Sequence, residues 1–447
     1  MNTVLTGPRG CGKTTIFRNL SFKTQLLGKH AIDPKGFIGI YYHCNDLSFA
    51  FPYTINKPSS SVQQAITHYF NLAILCEVLD TLKVAEDNDL EISRDAVEKL
   101  RLFLKKWLEP CANPPEGTAM LRYLLSTSIS AKDHFRDIMD NEGLEKEKWK
   151  SKNSEMILMP QDFLLRLCNL LRKNISWLKD VPFYFFLDDY SSPQVSKEVQ
   201  STLHNFILRR YSELFFKIST ENIVTFAPFS AKGKWLEEGR EYEVIDLGDY
   251  FLHASDELKQ DFLAKIVNSR LKNAKEFDWS CREIEKLLGA SPYKTSVALA
   301  ELIRASEEKV HYAGWETVVD LCSGDIANIL RLIRKIFSNS KLKGDMEIPI
   351  KEEIQDQGIR ETSNEFFSKL NSIPDTGQQI SKIVQSFGDV AHHYLKTRRS
   401  ANVTSNPPYQ AFRLELLEPP ELKVLRPEIY SQQILLTAII WKRFLKI

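Results

Sequence analysis

Gly7-Pro8-Arg9-Gly10-Cys11-Gly12-Lys13-Thr14 fills every position of the pattern GxxxxGK[ST]. Ahead of it, Asn2-Thr3-Val4-Leu5-Thr6 reads as a short buried strand, and the chain from about Lys13 to Leu27 reads as a helix. That order sets a glycine-rich turn at a helix N-terminus. Glycines at 7, 10 and 12 permit backbone conformations in which consecutive N–H groups face one anion. The helix end adds partial positive charge. Lys13 can reach the β- and γ-phosphates of a nucleoside triphosphate, and the Thr14 hydroxyl suits Mg²⁺. Pro8, Arg9, Cys11 and Thr15 complete the stretch expected to line the phosphates of ATP. The blander alternative, a turn without chemistry, fits poorly with a strand and a helix on the two sides.

Further along, Phe37-Ile-Gly-Ile-Tyr-Tyr42 reads as a second strand, and Val181 to Leu187 is almost wholly apolar and aromatic. Such a run suits a strand of a parallel sheet, buried on both faces. It ends in Asp188-Asp189. A carboxylate at the carboxyl end of such a strand can hold the water shell of Mg²⁺ opposite the glycine loop, so Asp188 is the metal-side candidate. Asp189 stands where a general base would act, one methylene shorter than a glutamate. The pair could also simply cap the turn before Pro193.

Leu214–Ile218 and Glu243–Leu247 are later strands, with a helix from about Pro193 to Arg210 before the first of them. Alternation of strands and helices predicts an α/β sheet with right-handed crossovers. Ser219 or Thr220, ending a strand, could bond the γ-phosphate or the attacking water. Arg209 and Arg210 could act as an arginine finger toward a neighbouring subunit, or could be cations favoured at a helix C-terminus.

Between the second and third strands the signal is helical. Val62, Ile66, Tyr69, Phe70, Ala73 and Leu79 share a face, and Ser93 reads as the N-cap of a helix with Val97, Leu100, Leu104, Trp107 and Leu108 in a stripe. Pro110, Pro114, Pro115 and Gly117 interrupt it. From Asp256 to Ser340 only helices are indicated. In the last of them Ile326, Ile329, Leu330, Ile333 and Phe337 form the apolar face, while Arg331 and Arg334 project elsewhere. The organisation read from this is a nucleotide-binding core over 1–250 with a helical insertion at about 56–155, a helical lid over 251–345, and a small domain over 346–447.

The 447 residues are too many for one core, and 43% hydrophobic content is ample for packing. With 59 Lys and Arg against 58 Asp and Glu, the whole chain is no strongly basic nucleic-acid binder, which leaves room only for a local basic patch. His392, His393, Lys396, Arg398 and Arg399 form one, although 346–447 as a whole carries 13 Lys and Arg and 12 Asp and Glu. Cys11, Cys44, Cys76, Cys111, Cys168, Cys281 and Cys322 never form a CxxC pair, so reduced thiols in a cytoplasmic protein are expected. The apolar run Ile434–Trp441 is far short of the roughly 20 residues a membrane span needs.

Loop, aspartate strand, polar-ended strand and a helical lid entered through Ser323-Gly-Asp-Ile together resemble an AAA-type P-loop ATPase of the origin-recognition, initiator-like group. His68-Tyr-Phe-Asn-Leu and Leu187-Asp-Asp-Tyr190 look like bacterial members of that group, some of them associated with phage defence. The resemblance implies ATP-driven switching, self-association or partner loading, and a C-terminal winged-helix module able to touch DNA. It also implies a lid arginine three residues after Gly324, where this chain has Ala327, so Arg331 is the substitute candidate. Measured against that group, both ends read as shortened, since residues ahead of the first strand usually help enclose the adenine. The competing expectations are a signalling switch with rare turnover, a small-molecule kinase, and an inactive nucleotide-binding module.

Overall fold

Val4 and Leu5 are neighbours in the first strand yet lie in different apolar clusters, because successive side chains leave a strand on opposite faces. The computed structural model describes residues 1–7, 10–28, 36–51, 58–108, 119–142, 157–192, 194–248, 255–274, 281–293, 310–322, 325–340, 348–372 and 377–396. They form two units, one of residues 1–7 and 12–247, the other of 248–447 with 8–11.

The first unit is built on β1 (Asn2–Thr6), β2 (Ile38–His43), β3 (Phe183–Asp188), β4 (Leu214–Ser219) and β5 (Tyr242–Asp246). Their order is β2-β3-β4-β1-β5, and every pair is parallel. The α/β expectation therefore holds, with strand ends within two residues of those read from sequence. Both faces are covered. Phe183, Phe185, Leu187, Phe216 and Ile218 bury into the larger cluster, whereas Leu5, Phe17 and Phe186 form the core of the smaller one.

Those two clusters correct one expectation. The single helix from Lys13 to Leu27 is in fact α1 (Lys13–Leu20) and α2 (Phe22–Leu27), separated by an extended Ser21 at φ −68°, ψ 129°. Phe17 belongs to the smaller cluster, whereas Phe22 stacks on Trp177, centroids 5.6 Å apart, in the larger. The break at Ser21 accompanies this change of cluster between Phe17 and Phe22.

After α3 (Asn45–Ala50) comes α4 (Ser60–Asp87), whose Ser59 cap accepts the Val62 N–H at 3.4 Å. This helix is buried around most of its circumference, the mark of a helix inside a core. Its neighbours include α6 (Met120–Glu142) and α8 (Lys197–Ile207). Ser93 caps α5 (Arg94–Leu104), accepting the Ala96 N–H at 3.2 Å, and α7 (Phe163–Asn174) follows.

The second unit is helical: α9 (Asp256–Asn273), α10 (Ile284–Leu288), α11 (Trp315–Cys322), α12 (Ile326–Asn339), α13 (Glu352–Leu370) and α14 (Gly377–Lys396). Asp325 caps α12, its Oδ1 accepting the Asn328 N–H at 3.0 Å. The buried face of α12 is Ile329, Leu332, Ile333 and Ile336, so Ile326, Leu330 and Phe337 are only partly buried. Ile350 and Ile359 join that same cluster, so α13 packs with the lid helices. The remaining segment, with the proline-rich piece, Arg398, Arg399 and Ile434–Trp441, lies outside the described residues, as do Pro8, Arg9, Cys111, Pro193, Ser323 and Gly324. His392, His393 and Lys396 fall in α14 at positions whose side chains are not described.

Candidate functional site

Strand parity decides which side chains meet. Across the register, Tyr41 pairs with Phe186 and His43 with Asp188, Leu187 with Ile218, and Leu5 with Ser219. His43, Asp188, Ser219 and Leu5 therefore form one row on one face at the carboxyl end of the sheet. At about 4.8 Å per strand, β1 and β3 are roughly 10 Å apart with β4 between them.

The loop leaves β1 through Gly7 at φ 148°, and Gly10 and Gly12 also have positive φ, 84° and 97°. Gly12 is the N-cap of α1 in a left-handed conformation, which a side-chain-bearing residue adopts only with strain. Lys13 is buried, and its Nζ donates to the Gly7 carbonyl at 2.6 Å. Thr14 is half-buried and Thr15 exposed in the first turn of α1.

α1 is fixed to the sheet at its far end by a close approach. A Cβ on Gly39 would collide with the Leu20 carbonyl oxygen and the Phe186 ring, so glycine in β2 lets α1 lie flat on that face. Arg18 of α1 sits over the Tyr41 ring, 5.4 Å from its centroid. The hydrogen bond to Tyr41 holds the Arg18 guanidinium above its ordinary value.

Asp188 is fully buried. Ser219 Oγ donates to its Oδ1 at 2.6 Å and Tyr41 OH donates to its Oδ2 at 2.9 Å. Burial pushes the Tyr41 phenol up, and the Asp188 charge acts in the same direction, so Tyr41 stays a proton donor. A carboxylate can accept about four hydrogen bonds or metal contacts. Two hydroxyl donors hold it in place while each oxygen keeps a second lone pair. With the glycine turn, the ammonium and a threonine hydroxyl nearby in the chain, this donor set fits a nucleotide phosphate with a hard divalent cation.

Asp189 turns away from the strand with φ 56°. Its N–H donates to Ser219 Oγ at 3.0 Å, and its half-exposed carboxylate lies 3.2 Å from His43 Nε2. Ser219 thus touches both aspartates. Thr220 is buried, with its hydroxyl among Ser191, Asn222 and Thr225 instead. Tyr41 and His43 were not among the residues expected from sequence. Their alternation with Phe37 and Gly39 on a strand ending at the site was the available signal.

Within the first unit, Arg209 and Arg210 lie apart from this row. Arg209 and Arg210 precede β4 at the opposite, amino-terminal edge, where Nε of Arg209 donates to the Asn205 carbonyl at 2.6 Å and that of Arg210 to the Arg240 carbonyl at 2.7 Å. Arg331, in the helical unit, donates to Glu365 at 3.1 Å.

This strand order and glycine loop accord with comparison against known families, where the ORC-CDC6-like family model matches residues 1–311 and 291–444. The chain belongs to the ORC-CDC6-like family. It is thereby a protein of the AAA ATPase class, as the resemblance implied. No curated protein and no solved structure matches the chain. Among the described residues, no helix is long and apolar enough to cross a membrane.

Proposed function

We propose that the chain binds ATP with Mg²⁺ between the Gly7–Thr14 loop and Asp188, and couples binding and hydrolysis to assembly or to engagement of a partner. The observation that carries this reading is the shared row at the carboxyl end of the sheet, where Ser219 and Tyr41 hold a buried Asp188 one strand removed from the strand that feeds the loop. Mg²⁺, once bound, would neutralise phosphate charge, held by the Thr14 hydroxyl and, through its water shell, by Asp188. Lys13 carries the charge for the phosphates, and the loop N–H groups orient them. Asp189 is the residue to position or deprotonate the attacking water, and Ser219, bonded to both aspartates, keeps them in register.

One contact favours a second reading, a nucleotide-held switch with little turnover, of the kind expected for a signalling or defence protein. His43 lies against the carboxylate that would act as base. In that reading a partner must separate the pair before hydrolysis proceeds.

ATP binding and turnover of the wild type, Lys13→Ala and Asp189→Ala, with and without duplex DNA, test both. Binding lost only in Lys13→Ala, with turnover raised by DNA and abolished in Asp189→Ala, supports a motor engaging nucleic acid. Tight binding with negligible turnover, indifferent to DNA, supports the switch. Equal ATP affinity in wild type and Lys13→Ala would remove the nucleotide site altogether.

A further inference from the structure

At the amino-terminal edge of the sheet, two stretches of chain line a cavity of 440 Å³. The end of α8 and the residues after it contribute His204, Arg209 and Arg210, and the connection into β5 contributes Lys232, Lys234 and Arg240. Five cationic side chains meet one carboxylate there, that of Glu241. This carboxylate is already engaged, since Lys234 Nζ donates to it at 2.6 Å and the Glu237 N–H at 3.0 Å.

Charge at a helix C-terminus accounts for Arg209 and Arg210 alone. It does not account for Lys232, Lys234 and Arg240, which a separate connection brings to the same hollow. Like charges gathered around a concavity repel one another and raise the local concentration of anions. Both arginines are pinned through Nε to backbone carbonyls, so their planes are set in advance for a bidentate acceptor. His204 also lines the cavity. It is 2% exposed, and burial pushes its pKa down to about 3, so the ring is neutral, with Nδ1 donating to the Phe229 carbonyl at 3.4 Å. The volume lies within the roughly 300–1,000 Å³ of small-ligand sites. Leu208 and Leu236 are the aliphatic side chains that line it.

We propose that this cavity binds a compact anion bearing two or more linked phosphate groups, at a site distinct from the one formed by Lys13 and Thr14. Guanidinium pairs favour phosphate oxygens, and the spread of cations around the hollow favours linked phosphates over a single one. The phosphates of a free nucleotide and the terminal phosphates of a strand share this chemistry, and size distinguishes them.

The test is calorimetric titration of the full chain with inorganic triphosphate, orthophosphate and a 5′-phosphorylated single-stranded oligonucleotide. Lys13→Ala silences the loop. Should that variant not fold, wild type is compared with Arg210→Glu, and the triphosphate binding that the charge reversal removes is the cavity's. The expected result is one triphosphate site, tighter than for orthophosphate, weakened about tenfold by Arg210→Glu and by Lys232→Glu, as suits the loss of one charge-assisted contact. Both side chains are exposed, so these variants keep the fold. The proposal is overturned if no triphosphate binds once the loop is silenced, or if the charge reversals leave binding unchanged. It is also overturned if the oligonucleotide binds tighter than triphosphate regardless of its 5′-phosphate. Any of these failures leaves the reading of the loop untouched.

Discussion

The two ends of the same five strands handle charge in opposite ways. At the carboxyl end the sheet buries negative charge, as Asp188 is fully enclosed and two hydroxyls donate to it. At the amino end it gathers positive charge in an open hollow and engages the one carboxylate with a lysine. The difference lies in what carries the groups. His43, Asp188 and Ser219 are the last residues of β2, β3 and β4, so the ladder fixes their spacing. The cations at the other end sit on a helix terminus and a connecting loop, which supply charge without register. Fixed spacing is what reacting groups need; concentrated charge is enough to capture an anion.

The widest separation between the two ends is expected for nucleotide affinity. Lys13→Ala should weaken ATP binding on the order of 100-fold, since an ammonium in contact with phosphate contributes about 1.5–3 kcal/mol per hydrogen bond. Arg210→Ala should leave ATP affinity at the loop unchanged. Titration of both variants checks this, and a matching loss in Arg210→Ala would merge the two ends into one site.

A smaller effect should isolate the amino end. Asn2 is buried there, accepting the Phe216 N–H at 2.9 Å and donating to the carbonyls of Arg209 and Glu241 at 3.2 and 3.4 Å. It ties β1 to β4 and to both walls of the cavity. Asn2→Ala leaves buried partners unpaired and should cost about 2 kcal/mol in urea unfolding. ATP affinity of the folded variant should stay near wild type while triphosphate binding at the cavity weakens. If ATP binding fell equally, the ends would not be independent.

This contrast also explains what could be read from sequence. The glycine loop is contiguous, so Gly7 to Thr14 was legible, and the apolar run before Asp188 marked β3. Ser219 and Thr220 could not be separated without strand order, yet parity distinguishes them. Phe216 and Ile218 enter the larger core, so Ser219 falls on the face of Asp188. The division at Ser21 depends on two clusters that no local pattern reveals. α6 lies within the helical insertion expected at about 56–155, and its Leu121, Leu124, Phe135 and Met139 follow helical spacing. The basic cavity comes from stretches separated in sequence and has no motif.

Acid should act on the core and the amino end through two buried histidines. Burial pushes His68 and His204 down to about 3, while His68 Nδ1 accepts the Met159 N–H at 3.0 Å. Because the folded pKa lies below the unfolded value near 6.5, the unfolded chain binds more protons between the two. Stability is thus complete above about pH 6.5 and falls as pH drops toward 3, by about 1.4 kcal/mol per pH unit for each histidine. Urea midpoints at pH 7 and 5.5 measure it, and His204→Gln should flatten the slope by about half. An unchanged slope in that variant would show that His204 does not hold its neutral form in the folded chain.

The smallest expected effect is the most informative about the carboxyl end. His43 and Asp189 are partly exposed, so their contact is worth less than about 1 kcal/mol to stability, and His43→Ala should barely move the melting temperature. Its effect on turnover depends on whether the contact positions the carboxylate or withholds it. If His43 restrains Asp189, removal frees the base and turnover should rise a few-fold at unchanged ATP affinity. The same rise should be absent from His43→Ala combined with Asp189→Asn, because nothing is left to release. A fall in turnover instead makes His43 a positioning residue and favours the motor over the switch. Either result keeps the comparison between the two ends, since only at the carboxyl end can so weak a contact alter a rate.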